Sequence, residues 1–452
     1  LKYFNHPEYN TLASQWIVIR DLYEGYHERL IDPSYLWPHV IELTKDGQKL
    51  RSIRELRTRY TNLIEPVISA YIAIAFQHEP DISEVESLLD VNDIDGRGTS
   101  LVDFIKDCIA RDYFLYGKVY LLTDSFQEQP DRAFWECIHP LAVKDWTLPA
   151  VGTGYKALRY EYQQEDVRET LSVEGKLSEY SKEYQIQDNL VNVIIAKRNS
   201  QGEWTVTNTV TLKLDRIPIA STFNGESWVK DATQEALRHY NLQSSRDNIL
   251  NHQGYQRSYV AGDIDEAGAK MIGEYTIGIL PENANLFTVD AVNTASIEQA
   301  LAASESNVYR IAFNLQRVMP GDSKTAESDS TLRERKQELL KLIKSSISAL
   351  ESVINNGVQH YARFMQKNNF DGKVHLSKDV QIDDIMELIA QFPIAKPYID
   401  KSPTWNRAIA KKILRSHRLP EEQEIQKELN TLEYEIEQPK EASYDRLLSL
   451  VK

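Results

Sequence analysis

Several short patterns in the sequence carry residue types that could do chemistry, and each is incomplete. Gly321-Asp322-Ser323-Lys324-Thr325 holds the glycine, lysine and hydroxyl of a loop that cradles phosphate. That loop has the form G-x-x-x-x-G-K-S/T, with backbone amides around the phosphates and the lysine directly after the second glycine. Here the first glycine is missing and the lysine follows serine, so nucleotide binding is not expected. Asp93-Ile94-Asp95-Gly96 has the carboxylates and turn glycine of a calcium loop. Counting back from Gly96 puts Val91 at the first ligand position, and counting forward puts Val102 where the bidentate glutamate belongs. A turn feeding a helix cap is the expectation instead. Cys137 and His139 form a lone C-x-H with no second pair, too little for zinc. Cys108 continues an apolar stripe and reads as core. The ten histidines pair with no nucleophile, and no G-x-S-x-G elbow is present. The reading is therefore non-enzymatic, with no catalytic residues, no metal and no cofactor.

The elements that would position these residues are more informative than the residues themselves. A chain of 452 residues allows two to four domains. Its 42% hydrophobic and 10% aromatic content fits a folded protein, and 24 tyrosines suit broad half-buried surfaces. A net charge of −15 argues against general adhesion to nucleic acid or anionic membrane. No apolar run reaches the ~20 residues of a membrane span. No secretory signal is read, but the sequence begins at Leu1 without methionine, which leaves residues before it open. Two cysteines cannot build a disulfide framework, so a reducing, intracellular setting is expected.

Residues 8–78 read as helical. Leu12, Trp16, Ile19 and Tyr23 share a face ahead of Gly25, and Tyr35-Leu36-Trp37-Pro38-His39 reads as an extended aromatic link. Ser52 is placed to cap one helix carrying Leu56, Tyr60, Leu63, Ile64, Ile68 and Tyr71 inward and ending near Phe76. An acidic link, Asp81 to Gly98, leads to a helix of Leu101, Phe104, Ile105 and Ile109 that Gly117 stops, with a strand over 118–122. From about Ala133 to Thr222 the period becomes two, as in Val191, Val193 and Ile195 or Val210, Leu212 and Leu214. Asn199-Ser200-Gln201-Gly202 reads as the hairpin turn between them. This predicts a mostly antiparallel β-domain with one wet face.

Thr233 to His252 predicts a helix polar on most sides, one that spans solvent or packs on other copies through hydrogen bonds. Gly254–Asn293 is a compact insertion, with strands at Tyr255–Val260, Thr276–Leu280 and Leu286–Val289 and a short helix at Glu266–Met271. About 40 residues bury too little surface to stand alone.

The chain is organised around Thr294 to Gln366. Ile297, Leu301, Ser304, Val308, Ile311 and Leu315 make a stripe on an alanine-rich helix, fit for close packing. Met319-Pro320-Gly321 stops it, since proline lacks the amide and its ring clashes with the preceding turn. A polar run to Ser330 follows. A second helix restarts at Thr331, which has capping-box spacing to Glu334. Its stripe runs from Leu332 through Ile343, Ile347 and Val358 to Met365. About 35 residues at ~1.5 Å each make a rod of ~50 Å. After Gln366 come a polar link and three short helices, about 381–391, 403–417 and 421–437.

This order of elements resembles a portal protein of a tailed bacteriophage, the head-to-tail connector ring. The likeness is carried by Trp16, Arg20-Asp21 through Gly25 to Tyr35-Leu36-Trp37-Pro38-His39, by Arg51-Ser52-Ile53-Arg54, and by Asp93 through Gly98. Tyr240 to Asn251 and Ser323 to Leu332 also match. The resemblance implies an α+β chain, mainly helical. Residues 1–230 would be the wing, with its β-domain at about 133–222. Residues 231–253 and 294–315 would be stem helices, 254–293 the clip and 316–330 the tunnel loop. Residues 331–376 would be the long wing helix and link, and 377–452 the crown.

It further implies a dodecameric ring at one capsid vertex, assembled in the host cytoplasm. The ring would be a channel for packaging and ejecting double-stranded DNA. Its partners would be the terminase large subunit, then the head-tail adaptor, with the major capsid and scaffold proteins around it and no membrane. Tunnel-loop residues Arg317, Pro320, Gly321, Asp322, Ser323, Lys324, Glu327 and Asp329 would face DNA. Asp263, Asp265 and Glu266 of the clip would meet terminase or adaptor. Two other readings stand beside it. One is a different phage connector or tail protein using the long helix as a coiled coil, for which heptads would have to persist. The other is an enzyme whose site is scattered beyond recognition.

Overall fold

The alternating stretch after Ala133 builds antiparallel sheet, as its period requires, in the computed structural model of the chain. The structure describes residues 2–25, 33–44, 48–125, 132–150, 154–166, 176–222, 225–253, 258–261, 285–288, 294–313 and 329–380. All of them belong to one unit, Leu1–Val380. Among them are three antiparallel sheets. One has the order β2-β1-β8, from β1 (Tyr120–Ser125), β2 (Ala133–Ile138) and β8 (Ile219–Ser221). The largest has the order β3-β4-β5-β6-β7, from β3 (Val143–Thr147), β4 (Ala157–Glu165), β5 (Leu177–Gln187), β6 (Leu190–Arg198) and β7 (Trp204–Leu212). β9 (Ser258–Ala261) and β10 (Asn285–Thr288) make the third.

The turns follow from residue type. Asn199 Oδ1 accepts the amides of Gln201 and Glu203, and Gly202 takes φ +83°, so the expected β6–β7 turn forms there. β5 and β6 are joined by Asp188 and Asn189, both at positive φ, a two-residue turn whose twist matches the strands. The expected phase of the outer strands is corrected. A register shift between Ile195 and Ala196 buries the alanine and leaves the isoleucine half out. β7 is an edge strand, so Val210 stands 39% exposed, and Leu214 lies beyond its end.

The helices show where a local breaker overrides a long stripe. α1 (Pro7–Glu24) starts on His6, with proline at its first position, and buries Tyr9, Trp16, Ile19 and Leu22. The single helix expected from Ser52 to Phe76 is instead two, α2 (Gln48–Arg57) and α3 (Ile64–Ala75). Pro66 is the cause: it can offer no amide to the Asn62 carbonyl, and its ring would clash there. Asn62 Oδ1 caps the restart by accepting the amides of Ile64 and Glu65. Ser52 therefore lies inside α2, and Leu56 is 62% exposed rather than core. The aromatic link is extended at Trp37–His39, between 3-10 turns at Pro33–Tyr35 and Val40–Leu43. α4 (Leu101–Phe104), a π-turn (Ile105–Ala110) and α5 (Arg111–Tyr116) run in series until Gly117, left-handed at φ +69°.

Three helices remain: α6 (Lys230–Gln253), α7 (Ala295–Ala312) and α8 (Asp329–Phe364). α8 begins two residues before the expected Thr331. Its stripe of Leu339, Ile343, Ile347, Leu350, Ile354, Val358 and Tyr361 is buried throughout. It packs on β1, β2 and β8, and so β1 has Tyr120, Leu121 and Leu122 buried in succession. The helix can come this close because Gly357 has no side chain. A Cβ there would lie 2.5 Å from Leu121 Cδ2.

Candidate functional site: a helix pair rooted in an aromatic hub

α3 is apolar on nearly every side, and it delivers Tyr71 to the centre of the helical region. The Tyr71 ring lies 5.5 Å from Phe114, 4.8 Å from Trp228 and 5.0 Å from Phe313, centroid to centroid. Its hydroxyl donates to the Ala312 carbonyl, and burial pushes its ionisation far above the usual tyrosine range. Trp228 stands just before α6 and Phe313 just after α7, so one side chain holds the roots of both helices. The helices run antiparallel from that hub. Ser304 donates to the Glu235 carbonyl at 3.2 Å, while Phe313 comes level with Trp228 through Tyr71. Their facing residues, Ala232, Ala236, Leu301, Ser304, Val308 and Ala312, are mostly small, which allows close approach. The chain between them carries the antiparallel β9–β10 pair.

The polar character of α6 has a different cause from the one its sequence suggests. Asn241, Gln243 and Ser244 are buried against the chain's own N-terminal segment. Asn241 accepts the Trp37 amide at 2.6 Å and donates to the Tyr35 carbonyl at 3.0 Å. Gln243 accepts from Thr61 at 3.0 Å, and Ser244 contacts Thr58 at 2.7 Å. At the centre, Arg54 forks onto Glu42 at 2.6 and 2.7 Å and donates to Ser244 at 3.0 Å and the Trp37 carbonyl at 2.8 Å. Both charged side chains are nearly sealed, at 2% and 3% exposure. Burial alone would raise the Glu42 carboxyl, but the Arg54 hydrogen bonds and the His39 amide bring it below its ordinary value. Burial and Arg54 together depress His39. Every strong partner in this clasp is answered, which is what makes a buried ion pair tolerable.

The residues expected to face DNA, Arg317, Pro320, Gly321, Asp322, Ser323, Lys324 and Glu327, lie outside the described residues. Asp329 opens α8, and its side chain is outside the description. Asp263, Asp265 and Glu266 lie outside it too, as do the helix at Glu266–Met271, the strand at Thr276–Leu280 and the three helices after 380. Strands expected at Tyr255–Val260 and Leu286–Val289 correspond to β9 and β10.

The remaining candidates resolve into local structure. Asp93 Oδ1 accepts the Gly98 amide at 2.7 Å, and Asp95 takes the amides of Arg97 and Thr99 with the Thr99 hydroxyl. Gly98 and then Arg132 hold the Asp93 carboxyl below its usual range. Ser100 next caps α4 by accepting the Asp103 amide, so the segment is a turn feeding a cap, as expected. His139 contacts the Tyr116 hydroxyl at 2.9 Å and accepts the Leu141 amide at 3.1 Å. Cys137 Sγ lies 3.9 Å from Asp112, a buried carboxyl raised by burial despite Arg111 beside it. Cys108, expected in the core, is half-buried. Among the described residues no group of three or more His, Cys, Asp or Glu side chains is placed to hold a metal ion. No helix among them is long and apolar enough to cross a membrane.

Sequence reasoning missed the Arg54–Glu42 pair and the hub, because each joins residues far apart in the chain. It also missed a cleft of about 900 Å³ beside α8, lined by Lys156, Arg216, Asn356, Gln359, His360 and Arg363 among others. Burial, then Arg363 and Arg216, push His360 down to about 4. Its signal in sequence was His360 and Arg363, one helical turn apart.

The described chain is an α+β protein of mixed helices and antiparallel sheets. No protein-family model matches it, and no curated protein does. It is similar to a solved chain of the virion of a native gene transfer agent (GTA) particle, at 12% identity and a TM-score of 0.41, over 86% of this chain and 98% of that one. It is also similar to a chain of the neck of a native GTA particle computed with C12 symmetry, at 12% identity and a TM-score of 0.38, over 77% and 89% respectively.

Proposed function

We propose that this chain is the subunit of a portal-type ring, a non-enzymatic conduit for double-stranded DNA at one vertex of a capsid. The observation that carries the reading is the rooted helix pair. α6 and α7 leave a rigid aromatic hub together, run antiparallel, and bracket a small β-bearing segment. In a ring these are the stem, and the segment between them is the clip that meets the terminase motor and later the adaptor. The outward face of α7 supports this use: Ala295, Ser296, Ala302 and Ala303 are exposed and small enough for a neighbour's helix to approach, with the polar Glu298 and Gln299 between them. A head-to-tail contact between copies closes when its rotation divides a full turn, and twelve is the expected number.

DNA sliding through such a channel must not be held. Each neutralised phosphate adds affinity, so twelve basic patches would act as a brake. An acidic chain with Lys324 and Arg317 as sparse cations makes exchangeable contact, and Asp322, Glu327 and Asp329 limit sticking. ATP hydrolysis belongs to the separate motor. Negative-stain images of purified protein test the reading. Rings with a central hole one duplex wide are expected, and solid single particles would contradict it. With rings in hand, Lys324→Ala with Arg317→Ala is expected to disturb packaging or DNA retention. Unaltered packaging would remove these two residues from the mechanism.

A further inference from the structure

In a chain of net charge −15, residues 48–59 hold Lys49, Arg51, Arg54, Arg57 and Arg59 against Glu55 alone. Arg54 is sealed onto Glu42, and Arg51 pairs with Glu55 at 2.8 Å. Lys49, Arg57 and Arg59 remain exposed, without an ion-pair partner among the described residues. On the same short helix Leu50, Ile53 and Leu56 face solvent at steps of three, which places them on one side. The turn before it adds Val40, 85% exposed, and Leu43 at 71%. Five large aliphatic side chains exposed within 17 residues and flanked by free cations mark a contact surface.

We propose that this face is an interface between copies of this chain, received by the acidic ridge Glu79–Asp95 of the next copy. The inference rests on the ring reading, because a head-to-tail contact needs two different, complementary surfaces on one chain. The ridge supplies the second. Glu79, Asp81, Glu84, Glu86 and Asp90 are exposed, and no lysine or arginine occurs from 79 to 96. Glu79 and Glu86 have no hydrogen-bond or ion-pair partner among the described residues. The aliphatic side chains exclude water at the centre of the contact, and the cations fix its orientation against the carboxylates. Nucleic acid fits the face less well, since phosphate contacts are made by cations and polar groups and leave the aliphatic side chains without a role.

Charge reversal in the full-length chain tests it. One variant carries Lys49→Glu, Arg57→Glu and Arg59→Glu, and the other carries Glu79→Lys and Glu86→Lys. Each alone places like charges opposite one another at the reversed positions, and each is expected to assemble poorly by mass measurement. Mixed together, they restore opposite charges at the reversed positions and are expected to form alternating rings. Either variant assembling alone as the wild type does, or a mixture that fails to recover, overturns the interface. A third variant, Leu50→Ser, Ile53→Ser and Leu56→Ser, is expected to raise the half-assembly concentration about a hundredfold or more. Its denaturant midpoint should stay at the wild-type value, since the three side chains are exposed. Assembly at wild-type concentrations would overturn the proposal. A wild type that is monomeric at every concentration fails the ring reading itself, whereas wild-type rings with unaffected variants fail this interface alone.

Discussion

Helix α8 on its sheet and helix α6 on the N-terminal segment are docked by opposite means. α8 lays an unbroken aliphatic stripe on the β2-β1-β8 sheet, with Gly357 letting it settle against Leu121. α6 meets the N-terminal segment through Asn241, Gln243 and Ser244, fastened by the Arg54–Glu42 pair. Apolar packing tolerates small adjustments, because any well-filled arrangement of similar volume is nearly as good. A sealed hydrogen-bonded knot does not, because each group left without a partner is penalised in full. The difference suits the proposed roles. As a wing helix α8 would need strength, while as a stem helix α6 would need one fixed register.

The contrast can be broken most sharply at the clasp. Glu42→Ala leaves the Arg54 charge buried and alone, and should lower unfolding stability by about 3–5 kcal/mol in urea titration. Glu42→Leu with Arg54→Leu should cost less than that single change, since no charge is stranded. If the double variant were the worse of the two, the pair would be a source of net stability rather than of register.

On the apolar side, Ile347→Ala removes a fully buried side chain and should cost about 3 kcal/mol by the same titration. Here no second substitution on a partner is expected to recover the loss in the way the leucine pair does.

Acid should separate His360 from the Arg54–Glu42 pair. His360 is held neutral at about 4, well below its ordinary value, so the unfolded chain takes up its proton first as pH falls. Its contribution is complete above pH 6.5 and is lost toward pH 4, on the order of 3 kcal/mol in all. Glu42 is shifted downward from a carboxylate value, so its pair with Arg54 keeps its contribution until the pH falls below the ordinary carboxylate range. His39 beside it, also held below its ordinary value, adds its own loss over the histidine range. Melting temperature against pH should therefore fall first over the histidine range, where His139 is also held down at about 4, and His360→Leu should flatten that limb. An unchanged limb would assign it elsewhere.

The smallest effect expected is Gly357→Ala. A Cβ there would meet Leu121 Cδ2 at 2.5 Å and Trp135 Cζ2 at 3.2 Å, and should cost about 1–3 kcal/mol as those side chains shift. Neutral stability would mean that the helix rides higher over the sheet than its contacts require.

These two dockings also mark what the sequence made legible. The α8 stripe, the α7 stripe of Leu301, Ser304 and Val308, and the alternation of the β-domain came from period alone, because apolar burial repeats with the element. The Asn199–Gly202 turn and the Asp93–Gly98 turn came from residue type. The clasp did not, since a polar residue facing its partner and one facing water look the same in a single chain. Asn241 pairs with backbone more than 200 positions away, and no local pattern encodes that. Pro66 was legible and outweighed the stripe that ran across it. The hub escaped for the same reason as the clasp: Tyr71, Trp228 and Phe313 meet only in the fold.

On the proposed reading, two helices leave one hub together because many copies stand side by side around an axis. The most direct test of that reading is the solution mass of the purified full chain across a wide range of concentration. One dominant assembly is expected, with a mass that is a fixed whole multiple, well above two, of 52.1 kDa. A single 52.1 kDa species at every concentration would contradict it.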